Sequence, residues 1–589
     1  MEFRQELIKV AQGQLAADLV VKGGMLANVN TREVYLTDVA VQRDRIAYVG
    51  NVEHCIGSET EVIDAHGSFL VPGLIETHMH TESAGVTLTQ LARILLPRGV
   101  TTVVYAHEIA NVLGLRGMQL IREESRSIPL KVLITTATEV PYYEGLETAG
   151  AHITVEDVRE MLSWSETVAL GEPDIFNILA GQEAILAKFS ATREFGKRIN
   201  GHAGGSPIPE PHLNALVAAG LDDCHEHWVP GEVRRKLRLG MKALLREADL
   251  EHIVPELLDD SVDLHHCMLC IDDKLVNTLA KEGGVDNTVR KAISYGLDPM
   301  TVLQMATVNA ASHYRRDHEV GSITPGRFAD LFLTRNLETL RPEIVIAGGR
   351  IAARDGEYKL DELGYQYPDW AKKTMHLRRV TPEDFELPAN QQQGTVKLRV
   401  IEQMPESPFR RFKIIRAPIA QGRIDLDFSG EYNLVAVVDR HSGETGIGKG
   451  VIQGFGLQAG AVATSVSHDS HNITVLGTNT EDMAYCVNTL AEVGGGFMAS
   501  MGGHNLALVR LEIAGLISGA PYEEVVGDLE RFERAIHEEL GFPAHMPFIA
   551  MNFIALACSP FEAGITDMGL IDARASARRV VPLIVDTDL

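Results

Sequence analysis

Between residues 71 and 324, short apolar runs alternate with amphipathic ones, and each apolar run ends in a polar or charged residue. Those terminal residues are His80, His107, Glu139, Glu172, His202, His225, Arg246 and Asp272, spaced by about 21 to 33 residues. One strand plus one crossover helix takes about 30 residues. Thr101–Tyr105, Lys131–Ile134, Thr167–Leu170 and His266–Ile271 read as strands. Leu88–Leu96, with Leu88, Leu91 and Leu95 on one face, and Val233–Leu239 read as helices. Eight such units in about 250 residues predict an α/β fold of the (β/α)8 barrel type, in which strand C-terminal ends converge on one site.

The flanks have a different texture. Asp18–Val21, Val39–Val41, Arg45–Gly50 and Glu61–Asp64 read as short strands, and similar segments return at Ala329–Leu333 and Val345–Ile351. Residues 1–70 and 325–385 are therefore expected to form one small β-sandwich from which the barrel, 71–324, emerges. Residues 371–395 are charged and carry Gln391-Gln392-Gln393, which suggests a linker. Residues 386–589 mix strands (Leu398–Ile401, Leu434–Val438, Ile473–Leu476) with a helix over Thr480–Val493, predicting a separate C-terminal α+β domain. At 589 residues the chain is too long for a single core.

A net charge of −26 disfavours nucleic acid and anionic membranes as partners, since both select basic surfaces. Met1–Gln14 lacks the apolar core of a signal peptide, and no stretch approaches the roughly 20 apolar residues of a membrane span. Six scattered cysteines suit a reducing cytoplasm. Cys267 and Cys270 have Cys-x-x-Cys spacing inside an apolar run with no second pair, which favours a buried structural role over zinc or redox chemistry. A symmetric homodimer is the simplest assembly expected of an enzyme of this size.

The apolar run Phe69–Ile75 leads into His78-Met79-His80. Alternate residues of a strand point the same way, so both imidazoles face one side. A lone histidine is more often a satisfied structural residue than a ligand. Here His78, His80, Glu172, His202, His225 and Asp272 share the strand ends, and a packed barrel mouth has little reason to collect four histidines and two carboxylates. Six ligands exceed one open tetrahedral site. They suit two divalent ions bridged by Glu172, and all-N/O ligation fits manganese, iron(II) or zinc. Water shared by two such ions falls from a pKa of about 15.7 toward 7 and becomes a hydroxide nucleophile, which implies hydrolysis with Asp272 as general base.

The segment Val62–Gly67 through Pro72–His80 resembles the entry strand of the amidohydrolase superfamily. More narrowly, the chain is similar over nearly its whole length to bacterial adenine deaminases, through His80-Thr81-Glu82-Ser83, His107–Val112, Gly201-His202-Ala203, Asp272-Asp273 and Ser467–Asn472. That group carries a bridging glutamate where many superfamily members use a carboxylated lysine, and Glu172 matches it. The resemblance implies hydrolytic deamination of adenine to hypoxanthine and ammonia, with manganese or iron(II) expected before zinc. It offers Glu82, Glu226 and Asp273 as the acid that protonates the purine, as purine contacts or as partners that orient a ligand histidine. His107 and Glu108 become candidates for orienting a ligand or binding substrate, and His468, Asp469 and His471 either close over the barrel mouth or pack the last domain. The chain departs from the pattern at Tyr105-Ala106, Pro173-Asp174-Ile175 and Ser83-Ala84, positions expected beside the substrate. Alternative readings are a deaminase or amidohydrolase acting on another purine or an N6-substituted adenine, and a catalytically silent scaffold of the same fold.

Overall fold

The computed structural model describes residues 2–204, 208–259, 262–361, 364–404, 409–543, 548–556, 562–574 and 578–585. The chain begins with a helix, Glu2–Ala11, and then five strands: β1 (Leu19–Asn28), β2 (Glu33–Gln42), β3 (Arg45–Gly50), β4 (Glu61–Asp64) and β5 (Phe69–Pro72). β1 pairs antiparallel with β2 and parallel with both β4 and β5.

Eight parallel strands follow: β6 (Leu74–Met79), β7 (Val100–Tyr105), β8 (Lys131–Thr136), β9 (Thr167–Leu170), β10 (Arg198–Ile199), β11 (Asp223–Cys224), β12 (Lys242–Arg246) and β13 (Cys267–Cys270). β6 to β10 form one sheet and β11 to β13 another. Asp222 N donates to Ile199 O at 2.9 Å across the first junction. Asp272 N donates to His78 O at 3.1 Å, and His80 N to Asp272 O at 3.4 Å, across the second. The architecture is TIM-barrel-like. β6 and β7 are buried at every position because helices cover one face and barrel side chains the other. Each fully buried aliphatic side chain there contributes about 1.5–3 kcal/mol. All eight polar residues picked out by spacing lie at or just beyond the C-terminal end of their strand.

β14 (Leu331–Thr334), β15 (Pro342–Ala347), β16 (Arg350–Arg354) and β17 (Glu357–Tyr358) return to the first sheet, where β14 pairs with β5. Segments on either side of the barrel thus share one nine-stranded sheet.

The stretch expected to be a linker is instead packed. Val380, Phe385 and Leu387 are buried against the sheet that follows, and His376 N donates to Arg440 O at 2.8 Å. Its apolar residues are spaced irregularly among charges, so no local period announces the packing. Beyond it lies a second nine-stranded sheet: β18 (Gln393–Gln403), β19 (Arg410–Ala420), β20 (Arg423–Ile424), β21 (Tyr432–Val438), β22 (Ile447–Gln453), β23 (Ala461–Thr464), β24 (Ile473–Gly477), β25 (Gly496–Met501) and β26 (His504–Arg510). The helix Thr480–Val493 occupies its predicted span, opened by the Asn479 side chain accepting from Asp482 N.

This last region docks on the barrel mouth. Asn472 Nδ2 donates to Thr148 O at 2.8 Å, Thr148 N donates to Asp567 Oδ1 at 3.0 Å, and Arg93 forms a two-pronged pair with Glu523 at 2.9 and 2.8 Å. Cys55, Cys224, Cys267, Cys270 and Cys486 are buried free thiols, and Cys558 lies outside the described residues. Among the described residues no helix is long and apolar enough to cross a membrane.

Candidate metal and active site

His78 and His80, at the end of β6, bring their Nε2 atoms within 3.1 Å of each other. Glu172, two residues beyond β9, reaches into the same space: its Oε1 is 2.7 Å from His78 Nε2, while its Oε2 is 3.3 Å from His202 Nδ1. His202 Nδ1 in turn lies 3.1 Å from His225 Nε2, and the His225 ring stacks on His78 with centroids 4.4 Å apart. Asp272 Oδ1 is 3.3 Å from both His78 Nε2 and His80 Nε2. The six predicted ligands therefore meet, with Glu172 Oε1 toward His78, His80 and His225 and its Oε2 toward His202.

The local backbone explains how strand ends can be packed so closely. Gly171 leads into Glu172, and a Cβ at that position would stand 2.4 Å from His107 Nδ1 and 2.5 Å from Thr136 O. Only glycine lets the chain pass there. Asp272 has φ 63, a left-handed conformation few residues with a Cβ adopt. It is held there by the two backbone hydrogen bonds that join β13 to β6, and such strain persists where the surroundings over-determine it.

The donors fit divalent metal ions. All are nitrogen or oxygen, they fall into overlapping groups of three whose ligand atoms lie within 4.8 Å of one another, and buried Glu172 Oε1 has no hydrogen-bond partner. Burial alone would neutralise these groups. Nonetheless the neighbouring histidines hold the Glu172 and Asp272 carboxyls well below the ordinary range. Against burial, Glu172 and Asp272 pull His78 up to about 10. The pocket thus attracts positive charge, which a cation supplies on displacing those protons.

A cavity of about 140 Å³ opens onto this cluster. His80, Glu172, His202, His225 and Asp272 form its floor, and Glu108, Glu226, Asp273, His468 and Asp469 stand in its walls. Glu82, His107 and His471 lie outside the lining. Glu82 accepts from Tyr105 Oη at 2.7 Å, and its carboxyl is raised to about 7 by burial and by Glu108, with the Tyr105 bond opposing. Glu226 accepts from Arg246 Nη1 at 2.6 Å, and burial raises its carboxyl although Arg246 opposes. Asp273 accepts from the Ser83 hydroxyl and lies 3.7 Å from His468 Nε2.

Sequence reasoning did not anticipate Trp228, Phe553 and Leu556 in the walls, nor the role of Arg246. Arg246 donates to Asp249 at 2.9 Å, to Glu226 at 2.6 Å and to Asp272 Oδ2 at 3.0 Å, beneath the Trp228 ring. Trp228, three residues after a ligand in Cys224-His225-Glu226-His227-Trp228, carried a usable signal; Phe553 and Leu556 carried none. Ala84, Tyr105, Ala106 and Pro173, expected beside the substrate, do not line the cavity. Tyr105 turns its hydroxyl to Glu82, and Asp174 is engaged by Glu139 and Arg578.

The sequence model of the amidohydrolase family matches residues 69–352, and that of the adenine deaminase C-terminal domain matches residues 409–577. The chain is 39% identical over 578 residues to an adenine deaminase of Moorella thermoacetica, an alignment covering 97% of this chain and 96% of the relative. It is 40% identical over 583 residues to one of Clostridium botulinum and 37% identical over 581 residues to one of Mesorhizobium japonicum, each with the same two coverages.

Proposed function

Because the chain belongs to the adenine deaminase family of the amidohydrolases, we propose that it hydrolyses adenine to hypoxanthine and ammonia. The observation that carries this reading is the meeting of six strand-end ligands around Glu172, five of them lining a small cavity.

Two divalent ions, manganese or iron(II) before zinc, fit His78, His80, Glu172, His202, His225 and Asp272; bound there they acidify water and stabilise developing negative charge. Asp272 accepts the proton of the water that adds at C6 and returns it to the departing amino group. Arg246 fixes the other Asp272 oxygen, so the base keeps one orientation. Ring-nitrogen protonation falls to Glu226 or Asp273, both in the cavity wall, and Glu82 behind the wall is left to position. His468 and Asp469 are assigned to the purine edge, while Trp228, Phe553 and Leu556 cover its faces and exclude water. His107 takes a supporting place behind Glu172.

In the same reading the eight strands are a complete (β/α)8 barrel over 71–324. Residues 1–70 and 325–385 form a sandwich, favoured by the core that Leu19, Val21, Val39 and Val41 share with Leu331, Leu333, Ile344 and Ile346. Residues 386–589 make an α+β unit, with 371–385 packed upon it. Free buried thiols favour the cytoplasm, and a symmetric homodimer is testable by light scattering.

The functional test is product analysis with adenine and N6-methyladenine. Adenine should yield hypoxanthine and ammonia, and Glu226→Gln or Asp273→Asn should depress kcat according to which one donates the proton. Methylamine release from N6-methyladenine with an inert adenine would move the assignment to the substituted purine.

A further inference from the structure

His80 turns Nε2 to the ligand cluster and buries Nδ1 on the far side, 3.2 Å from Glu108 Oε1. Glu108 is 3% exposed, and its Oε1 stands in ion-pair contact with His80 Nδ1, a buried nitrogen with no aligned hydrogen-bond partner. Its Oε2 accepts from Asn111 Nδ2 at 3.0 Å and lies 3.0 Å from His471 Nε2 and 3.8 Å from His468 Nδ1. Glu108 follows β7 of the barrel, whereas both of these histidines belong to the last region of the chain. A ligating imidazole keeps its tautomer and ring orientation when its other nitrogen meets a carboxylate. That carboxylate must itself be fixed, because a buried, half-satisfied charge is costly.

The loop carrying His471 is built to hold it still. His471 has φ 53, again the left-handed region. Its carbonyl accepts from the fully buried Arg440, Ser470 O lies 2.8 Å from His441 Nε2, and Asn472 Nδ2 donates to Thr148 O at 2.8 Å. His471 itself does not line the cavity, so its reach to Glu108 is not a substrate contact.

We propose that Glu108 is a positioning residue for His80 and that His471 clamps Glu108, so that the metal centre is completed by the last region of the chain. The proposal rests on the reading of His80 as a metal ligand. Glu108, His468 and His471 are also close enough to take a cation of their own. The direct 3.0 Å approach of His471 and the engagement of Glu108 Oε1 with His80 favour the clamp.

The test is manganese affinity of the full-length protein, measured against a chromophoric chelator without substrate. His471→Asn suits the left-handed backbone but is too short to reach Glu108, and should weaken binding about 10- to 100-fold. His471→Gln keeps an N–H donor of longer reach and should recover most of that loss. Glu523→Ala cuts the Arg93 pair, a contact between the last region and the barrel away from the His471 loop, and should bind like wild type. With manganese in excess, His471→Asn should regain kcat at an unchanged KM. Wild-type affinity in His471→Asn, an equal loss in Glu523→Ala, or three ions per wild-type chain with one lost in His471→Asn would each overturn the clamp. Because this readout needs no turnover, an enzyme inert toward adenine leaves the proposal standing, while normal deamination with unaltered affinities removes it alone.

Discussion

The cavity has two halves built on different principles. Its floor comes from strand ends: His80, Glu172, His202, His225 and Asp272, with His78 beside them, follow β6, β9, β10, β11 and β13, each strand hydrogen-bonded to its neighbours. Its outer wall comes from loops and the end of a short 3-10 helix hundreds of residues away: His468, Asp469, Phe553 and Leu556. Rigid strands hold ligand atoms to the tolerance that coordination chemistry demands, while loops suffice to enclose a ring. The difference assigns metal chemistry to the floor and ring binding to the outer wall.

The comparison breaks first at Glu172. Glu172→Gln removes the charge shared by the four histidines and should lower kcat/KM by about 10³-fold or more, with metal content falling alongside; full activity in this variant would deny the floor its role. Next comes Arg246, which ties Asp272 of the floor to Glu226 of the barrel's own wall beneath Trp228. Arg246→Met strands the Glu226, Asp249 and Asp272 carboxylates in a buried site, and urea unfolding should register a loss of about 3–5 kcal/mol. A stability change near zero would mean that these charges are already relaxed by water.

Chelation tests the floor without mutation. Ions bound only by the folded chain stabilise it by about 2.7 kcal/mol per site at a hundredfold excess over Kd. Calorimetry should therefore show a Tm that climbs with manganese concentration, and a Tm indifferent to manganese would contradict the ligand cluster. The smallest effect belongs to the wall. Phe553 stacks on His468 with centroids 5.2 Å apart, and Phe553→Ala should cost about 0.5–1.5 kcal/mol of ring contact, a rise in KM of up to about tenfold with kcat retained. A fall in kcat at constant KM would transfer Phe553 to the chemical step.

The same division explains what could be read in the sequence. Strand ends recur at the period of a strand plus a helix, so even β10 and β11, two residues each, were found through His202 and His225. The Thr480–Val493 helix was legible from its pattern. Phe553 and Leu556 were not, since contacts across the whole chain leave no local period. Val380, Phe385 and Leu387 pack within what reads as a charged linker for the same reason. Nor could spacing reveal that β13 meets β6 through a left-handed Asp272; that arises only when the strands close up.

The most direct test is hypoxanthine formation from adenine by protein stripped of metal and then titrated with manganese. Activity should be absent in the stripped protein and saturate at two ions per chain. Hypoxanthine formed at full rate without metal would contradict the assignment of chemistry to the strand-end floor, and a protein loaded with two ions that leaves adenine intact would contradict adenine as its substrate.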